Sequence, residues 1–325
     1  MKKILLCFFI FFIIIFSIIK FKNKDEKNSN KITLAEVTHS IFYAPLYVAI
    51  ENNYFKDEGL EVDLILTSGA DKVSAAVLSG DAQIGLAGAE SAIYIYNSGE
   101  KDYLKIFSGL TKRDGQFILG RKKNDNFDLN NLKGKEILVG RKGGMPSLNF
   151  LNAIEKQNID PKDININYQV DYASLSGAFI GGTGDYVNLF EPNASLLEKN
   201  NQGNILLSIG KYSGEMPYTV FYAKKSYIKD NSKICEKFSK AISKGLDYVN
   251  NNDAIDTAKI ISKQFPDNSI KELEMMIKHY KDSDSWLSDT KVSNESLENL
   301  ENLLIKNKLI KNKIPYNKLV INYEK

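Results

Sequence analysis

Cysteine and histidine are nearly absent, with two of each in 325 residues, and that scarcity removes several kinds of chemistry. Cys7 lies inside the first apolar run, so a disulfide with Cys235 is implausible and the folded part depends on its core without covalent staples. His39 and His279 lie far apart and carry no zinc-ligand spacing. There is no Walker loop, no GxSxG elbow and no Cys–His arrangement set in a motif. Nothing in the sequence calls for a metal or a cofactor. The chain also lacks a basic cluster: 43 basic residues stand against 40 acidic ones, for a net charge of +3, and the lysines are scattered. Nucleic acid would want a concentrated basic face, so it is excluded as a partner. No tandem repeat and no long low-complexity tract occurs.

One long hydrophobic run is present. Ile4 to Ile19 is apolar except for Cys7 and Ser17, a little long for a signal-peptide core and a little short for a comfortable membrane span. No small-x-small cleavage site comes after it, which favours an uncleaved anchor with lysines snorkelling at its ends over a signal segment. Lys20, Lys22, Lys24 and Lys27 outnumber the basic residues before the run, and the positive-inside rule sets that charge against export. Lys24 to Asn30 reads as a polar linker, so residues 1–30 stand apart from the folded body of the chain.

After the linker the pattern becomes regular. Ile32 to Val37 alternates as a strand, and Pro45 opens a helix carrying Leu46, Val48, Ala49 and Ile50. Leu60 to Leu66 is a second strand, followed by a helix with Val73, Ala76 and Val77 on one stripe and a stop at Gly80. Ile84 to Ala87 and a helix through Tyr96 complete a βαβ series, hence a mostly parallel sheet. Strands at Glu136 to Val139, Ile164 to Val170 and Asp185 to Leu189 repeat the scheme, and from Ser232 onward the chain reads as helical. A chain this long accommodates two lobes.

The stretch GRKGGMPSLN, Gly140 to Asn149, joins a buried strand to a helix. Adjacent glycines allow a sharp turn, and Pro146 suits a first helical turn. The free N–H groups there, with the positive end of the helix dipole, suit an anionic or strongly accepting group. Such turns also join strands to helices where nothing binds, and the sequence leaves both readings open.

In open α/β sheets, ligands sit beyond the carboxyl ends of the strands. The loops placed there are His39 to Tyr43, Ser68 to Ala70, Gly88 to Ser91, Gly143 to Met145, and Gly184 to Glu191. Phe42 and Tyr43 offer rings for stacking on a ligand or for packing on the next helix. Ser68 and Ser91 are either ligand donors or helix caps. Glu90, Asp185 and Glu191 either accept from a ligand's N–H groups or face solvent. His39 fits a hydrogen-bonded loop residue better than a ligand contact.

These segments carry a resemblance. The run from His39 to Tyr94, which includes LTSGADKVSAAVLSGDAQIGLAGAES, is similar to the first lobe of substrate-binding proteins of ABC importers. The group is the nitrate, sulfonate and taurine type with its thiamine-pyrimidine-precursor relatives. LKGKEILVGRKGGMPS (Leu132 to Ser147) and GTGDYVNLFEPNAS (Gly182 to Ser195) extend the likeness, which covers most of Lys31 to Tyr227. It implies a periplasmic-binding-protein-like type II fold, two α/β lobes joined by a two-strand hinge. Lobe one would be residues 31–118 with 221–325, lobe two 119–220, with crossings near Phe117 to Gly120 and Thr219 to Ala223. It further implies an extracytoplasmic, monomeric clamp that closes on a small solute and docks on a permease with its ATPase. Carried over by position, the ligand-facing loops fall on Ser40, Phe42, Tyr43, Ser68, Gly69, Gly88, Ala89, Glu90, Gly143, Gly144, Met145, Asp185 and Glu191.

Two departures stand out. No cysteine is placed for lipoprotein processing, and the cysteine-rich motif of the related pyrimidine synthases is missing, which counts against synthase activity. A membrane-tethered sensor on the same fold is a further alternative. The acidic loop residues favour a nitrogen- or sulfur-containing organic solute over a bare inorganic anion, which carboxylates repel at short range.

Overall fold

The computed structural model describes residues 30–323 of the protein. The apolar run read as an anchor or signal lies outside the described residues. Among the described residues no helix is long and apolar enough to cross a membrane.

The chain builds two five-stranded mixed sheets, flanked by helices and matched in plan. The first contains β1 (Lys31–Glu36), β2 (Glu61–Leu66), β3 (Ile84–Gly88), β4 (Leu104–Thr111) and β10 (Thr219–Lys224), in the order β2-β1-β3-β10-β4. The second contains β5 (Phe117–Gly120), β6 (Glu136–Leu138), β7 (Asn165–Asn167), β8 (Tyr186–Leu189) and β9 (Asn204–Ser208), in the order β7-β6-β8-β5-β9. In each, four strands run in one direction, and the strand arriving from the other half is inserted antiparallel between two of them. A parallel sheet covered on both faces needs apolar strands. β3 (IGLAG) and β4 (LKIFSGLT) supply them.

The sequence expects crossings near Phe117 to Gly120 and Thr219 to Ala223. Those segments are themselves inner strands, β5 of the second sheet and β10 of the first, with ladder partners on either side. The chain passes between sheets just ahead of each, through residues 112–116 and 209–218. The strand expected from Ile164 to Val170 shrinks to β7.

Helices α1 (Ala44–Glu51), α2 (Ala70–Ser79) and α3 (Glu90–Asn97) serve the first sheet; α4 (Met145–Lys156), α5 (Leu175–Ile180) and α6 (Asn193–Lys199) serve the second. After β10 come α7 (Ser232–Asn251), α8 (Ala254–Ile261), α9 (Ile270–Asp282) and α10 (Asn294–Lys306). On α7, Phe238, Ile242 and Leu246 recur at helical spacing and are all buried. Phe238 lies 4.9 Å from Phe55, 5.7 Å from Phe107 and 5.0 Å from Phe221, measured between ring centroids. Burying such a ring contributes about 1.5–3 kcal/mol. Gly245 lets α7 approach α1, since a Cβ there would meet the Pro45 carbonyl oxygen at 2.1 Å. The main core spans the first lobe, the C-terminal helices and the facing side of the second; a smaller one around Ile137, Phe150 and Ile154 lies within the second lobe.

Candidate functional site

A cleft of about 460 Å³ separates the two sheets, and residues of both line it. Its walls are the segments beyond the carboxyl ends of the parallel strands, where the strand plan predicts a ligand site. After β1 come Val37, Thr38 and Tyr43; after β2, Ser68, Gly69, Asp71 and Lys72; after β3, Glu90. Facing them are Gly140, Arg141, Gly144 and Met145 after β6, Tyr172 and Ser174 after β7, and Phe190 and Asn193 after β8. Tyr218 and Thr219, entering antiparallel β10, close the back.

One wall is aromatic. The rings of Tyr172 and Phe190 lie 5.7 Å apart, and Phe190 and Tyr218 6.2 Å apart, at steep angles. Burial holds the hydroxyls of Tyr43 and Tyr218 well above the usual phenol range, so both stay neutral. The opposite wall is polar. Gly143, at φ 80, turns the chain so that Gly144 caps α4 and Pro146 occupies its first turn. The Met145 N–H at that helix start donates to Glu90 Oε1 of the first lobe at 3.3 Å. Arg141 Nη2 lies 3.8 Å from the same oxygen. Glu90 is 1 % exposed, and burial pushes its carboxyl up to about 7 despite the nearby guanidinium. Asp114, buried beside the Tyr218 hydroxyl, is pushed up to about 8 for the same reason.

Of the residues singled out from sequence, the structure brings Tyr43, Ser68, Gly69, Gly88, Glu90, Gly144 and Met145 together on the cleft. The others lie elsewhere. Phe42 is fully buried behind the aromatic wall, its ring 5.3 Å from Phe190, 5.6 Å from Tyr218 and 5.1 Å from Tyr280. Ser40 is buried, capping the turn before α1 and donating to the Glu191 carbonyl at 2.5 Å. Ala89 is in the core, and Gly143 presents its carbonyl to the Tyr94 hydroxyl instead of to the cavity. Asp185 sits at the amino end of β8, away from the cleft, where its Oδ2 accepts the Glu136 N–H at 3.0 Å. Glu191 follows the correct end of that strand but turns inward: its carboxylate takes the Ser195 N–H and hydroxyl and pairs with His279 Nδ1 at 2.7 Å. His39 is likewise engaged at both ring nitrogens, with Glu36 Oε1 at 2.8 Å and the Gln264 carbonyl at 2.9 Å.

Arg141, Tyr172, Phe190, Asn193 and Tyr218 were missed by the sequence reading. Arg141 and Phe190 closely follow parallel strands and Tyr218 precedes the inserted one, so the strand-end rule, applied without favouring acidic residues, identifies these three; Tyr172 and Asn193 lie further along their loops.

Two α/β lobes of this plan around a shared cleft form the substrate-binding-protein fold of ABC importers. The chain belongs to the NMT1/THI5-like family, whose pattern residues 41–254 match. It is 44% identical over 282 residues, 86% of this chain and 84% of the other, to YtlA of Bacillus subtilis (strain 168), which its name describes as a candidate binding protein. Among solved structures, the alkanesulfonate-binding protein SsuA of Xanthomonas axonopodis pv. citri, bound to MOPS, superposes with a TM-score of 0.72 at 15% identity, covering 90% of this chain and 98% of that one. The nitrate-binding protein NrtA of Synechocystis PCC 6803 gives 0.67 at 13% identity, with coverages of 90% and 86%. At these identities the likeness is one of fold.

Proposed function

We propose that this protein is the extracytoplasmic substrate-binding component of an ABC importer, capturing one small nitrogen- or sulfur-containing organic solute by lobe closure and delivering it to a permease. The observation that carries this reading is the cleft itself, lined from both lobes by neutral aromatic rings and a few convergent polar groups. Closure is then a population shift driven by contacts the solute makes with both walls at once. The names of the solved relatives, which bind alkanesulfonate or nitrate, support transport as the setting. The N-terminal apolar run would hold the protein at the membrane as a monomer.

Binding without turnover fits the reactive groups described. Cys235 is buried on α7, away from the cleft, with its thiol pushed up to about 12 by burial. His39 is held at both nitrogens outside the cavity, a poor position for a histidine that is to be consumed.

The test is a thermal-shift screen of the full-length protein against pyrimidines, sulfonates, flavin precursors and amino-acid derivatives. A true solute at about a hundred times its Kd adds about 2.7 kcal/mol of stability. A screen in which a compound is instead chemically converted would replace capture with catalysis.

A further inference from the structure

The start of α4 is the cleft's strongest feature for holding an anion, and the protein already fills it from within. The helix is twelve residues long, and its first-turn N–H groups have no partner inside the helix. Glu90 reaches across from the first lobe to accept the Met145 N–H, and Arg141 stands on the same oxygen's side. The other oxygen, Oε2, is buried without a hydrogen-bond partner, on a residue that lines the cavity. Gly88 makes the arrangement possible: a Cβ there would lie 1.9 Å from Oε2 and 2.5 Å from Met145 Cγ. Around the carboxyl, Arg141 is the charged neighbour from the second lobe, while Tyr94, Tyr43, Tyr218 and Tyr222 surround it as neutral phenols.

Building on the solute-capture reading, we propose that Glu90 is a specificity-determining residue: its carboxylate takes the seat at the helix start that a sulfonate or nitrate would need. The cleft therefore turns away free anions and accepts a guest that presents an N–H or O–H donor to the Glu90 carboxyl. A second negative group at that seat would meet a buried carboxylate, whose charge is weakly screened. A donor from the guest would satisfy Oε2, the oxygen of this carboxyl that has no partner. Because burial raises this carboxyl to about 7, the exclusion is strongest in mildly alkaline solution, where the group is ionised.

The experiment is calorimetric titration of full-length wild type, Glu90→Ala and Glu90→Gln at about pH 8, with ethanesulfonate, nitrate and 4-aminopyrimidine as probes. The wild type should ignore both anions. Glu90→Ala should bind ethanesulfonate about tenfold or more tightly than the wild type and lose any affinity for 4-aminopyrimidine. Glu90→Gln, nearly the same shape without the charge, should gain anion affinity in the same direction and carries the test if the alanine variant does not fold. Wild-type binding of ethanesulfonate at variant-like strength overturns the proposal, and so does a folded Glu90→Gln with no gain. The two readings fail separately: a wild type that binds an organic solute while the variants gain no anion keeps capture and removes the role of Glu90. Variants that take up ethanesulfonate beside a wild type inert to every compound screened do the reverse.

Discussion

The Tyr94 hydroxyl donates to the Gly143 carbonyl at 2.7 Å, joining α3 of the first lobe to the turn that starts α4 in the second. Together with the Glu90–Met145 contact it fastens the two walls of the cleft at one edge. Tyr94→Phe removes this bond and little else. A neutral hydrogen bond contributes about 1 kcal/mol, so solute affinity should fall about fivefold with little change in the melting of the unliganded protein. Titration of the solute found by screening, with a parallel melt, checks both halves; equal affinity would show that the bond plays no part in closure.

Phe42 and Tyr43 are neighbours in sequence with different tasks. Phe42 packs behind the aromatic wall and its carbonyl accepts from Trp286 Nε1 at 2.8 Å, whereas Tyr43 lines the cavity. Phe42→Ala should cost about 3–5 kcal/mol of stability through the void it leaves. Tyr43→Ala should weaken solute binding more than it lowers the melting temperature. Asp185→Ala should leave affinity unchanged, its side chain being at the far end of β8. Denaturant curves and titrations separate the three; a loss of affinity in Asp185→Ala would mean that the site lies elsewhere.

Gly88 has an ordinary backbone conformation, so Gly88→Ala adds no torsional strain, but its methyl would fall on Glu90 Oε2. The carboxyl must then leave its place. Crowding of this kind costs about 1–3 kcal/mol, and solute affinity should drop with it. If Gly88→Ala binds and melts as the wild type does, the packing of Glu90 over Gly88 is not a constraint.

Stability should fall as the medium becomes more alkaline. Burial raises the Glu90 carboxyl from 4.5 to about 7 and the Asp114 carboxyl from 3.8 to about 8. Between those limits the native state holds protons that the unfolded chain has released, so the stabilisation present at low pH is lost as pH rises through the native values. His39, where burial is outweighed by the bonds to Glu36 and the Gln264 carbonyl so that the imidazole is raised, loses stabilisation in the same direction. Glu272, held at about 2, titrates well below this window. The melting temperature should therefore be lower at about pH 8.5 than at about pH 5.5, and Asp114→Asn should flatten the upper part of the slope. A melting temperature that rises across the range contradicts the assignment.

Most of the fold was readable from periodicity. The βαβ runs, the GGMPS helix start and the apolar face of α7 follow from side-chain spacing, which backbone geometry enforces locally. The resemblance supplied the two-lobed plan. The segments of β5 and β10 were readable as strands, but their places inside the sheets were harder, because an inserted antiparallel strand looks like any short apolar run until its partners, far away in sequence, are known. The site was legible as a set of loops and only partly as a set of side chains. Which way a loop residue turns depends on distant partners: Glu191 was drawn inward by His279 on α9, and Phe42 by Tyr280 on the same helix. Asp185 failed for a simpler reason, since it precedes its strand. For Glu90 the sequence leaves open an acceptor for a guest or a solvent-facing side chain; its burial and its reach across the cleft to Met145 could not be read from either segment alone.

The exchange of inner strands between the halves bears on how the protein is made. β4 reaches the rest of the first sheet only through β10, whose residues come more than a hundred positions later. A nascent chain that has delivered its first half thus holds an unfinished sheet with an open edge, and it cannot lock until Thr219–Lys224 has emerged. Synthesis from one end to the other leaves the molecule uncommitted for most of its length, the condition under which a polypeptide can still be threaded through a narrow pore.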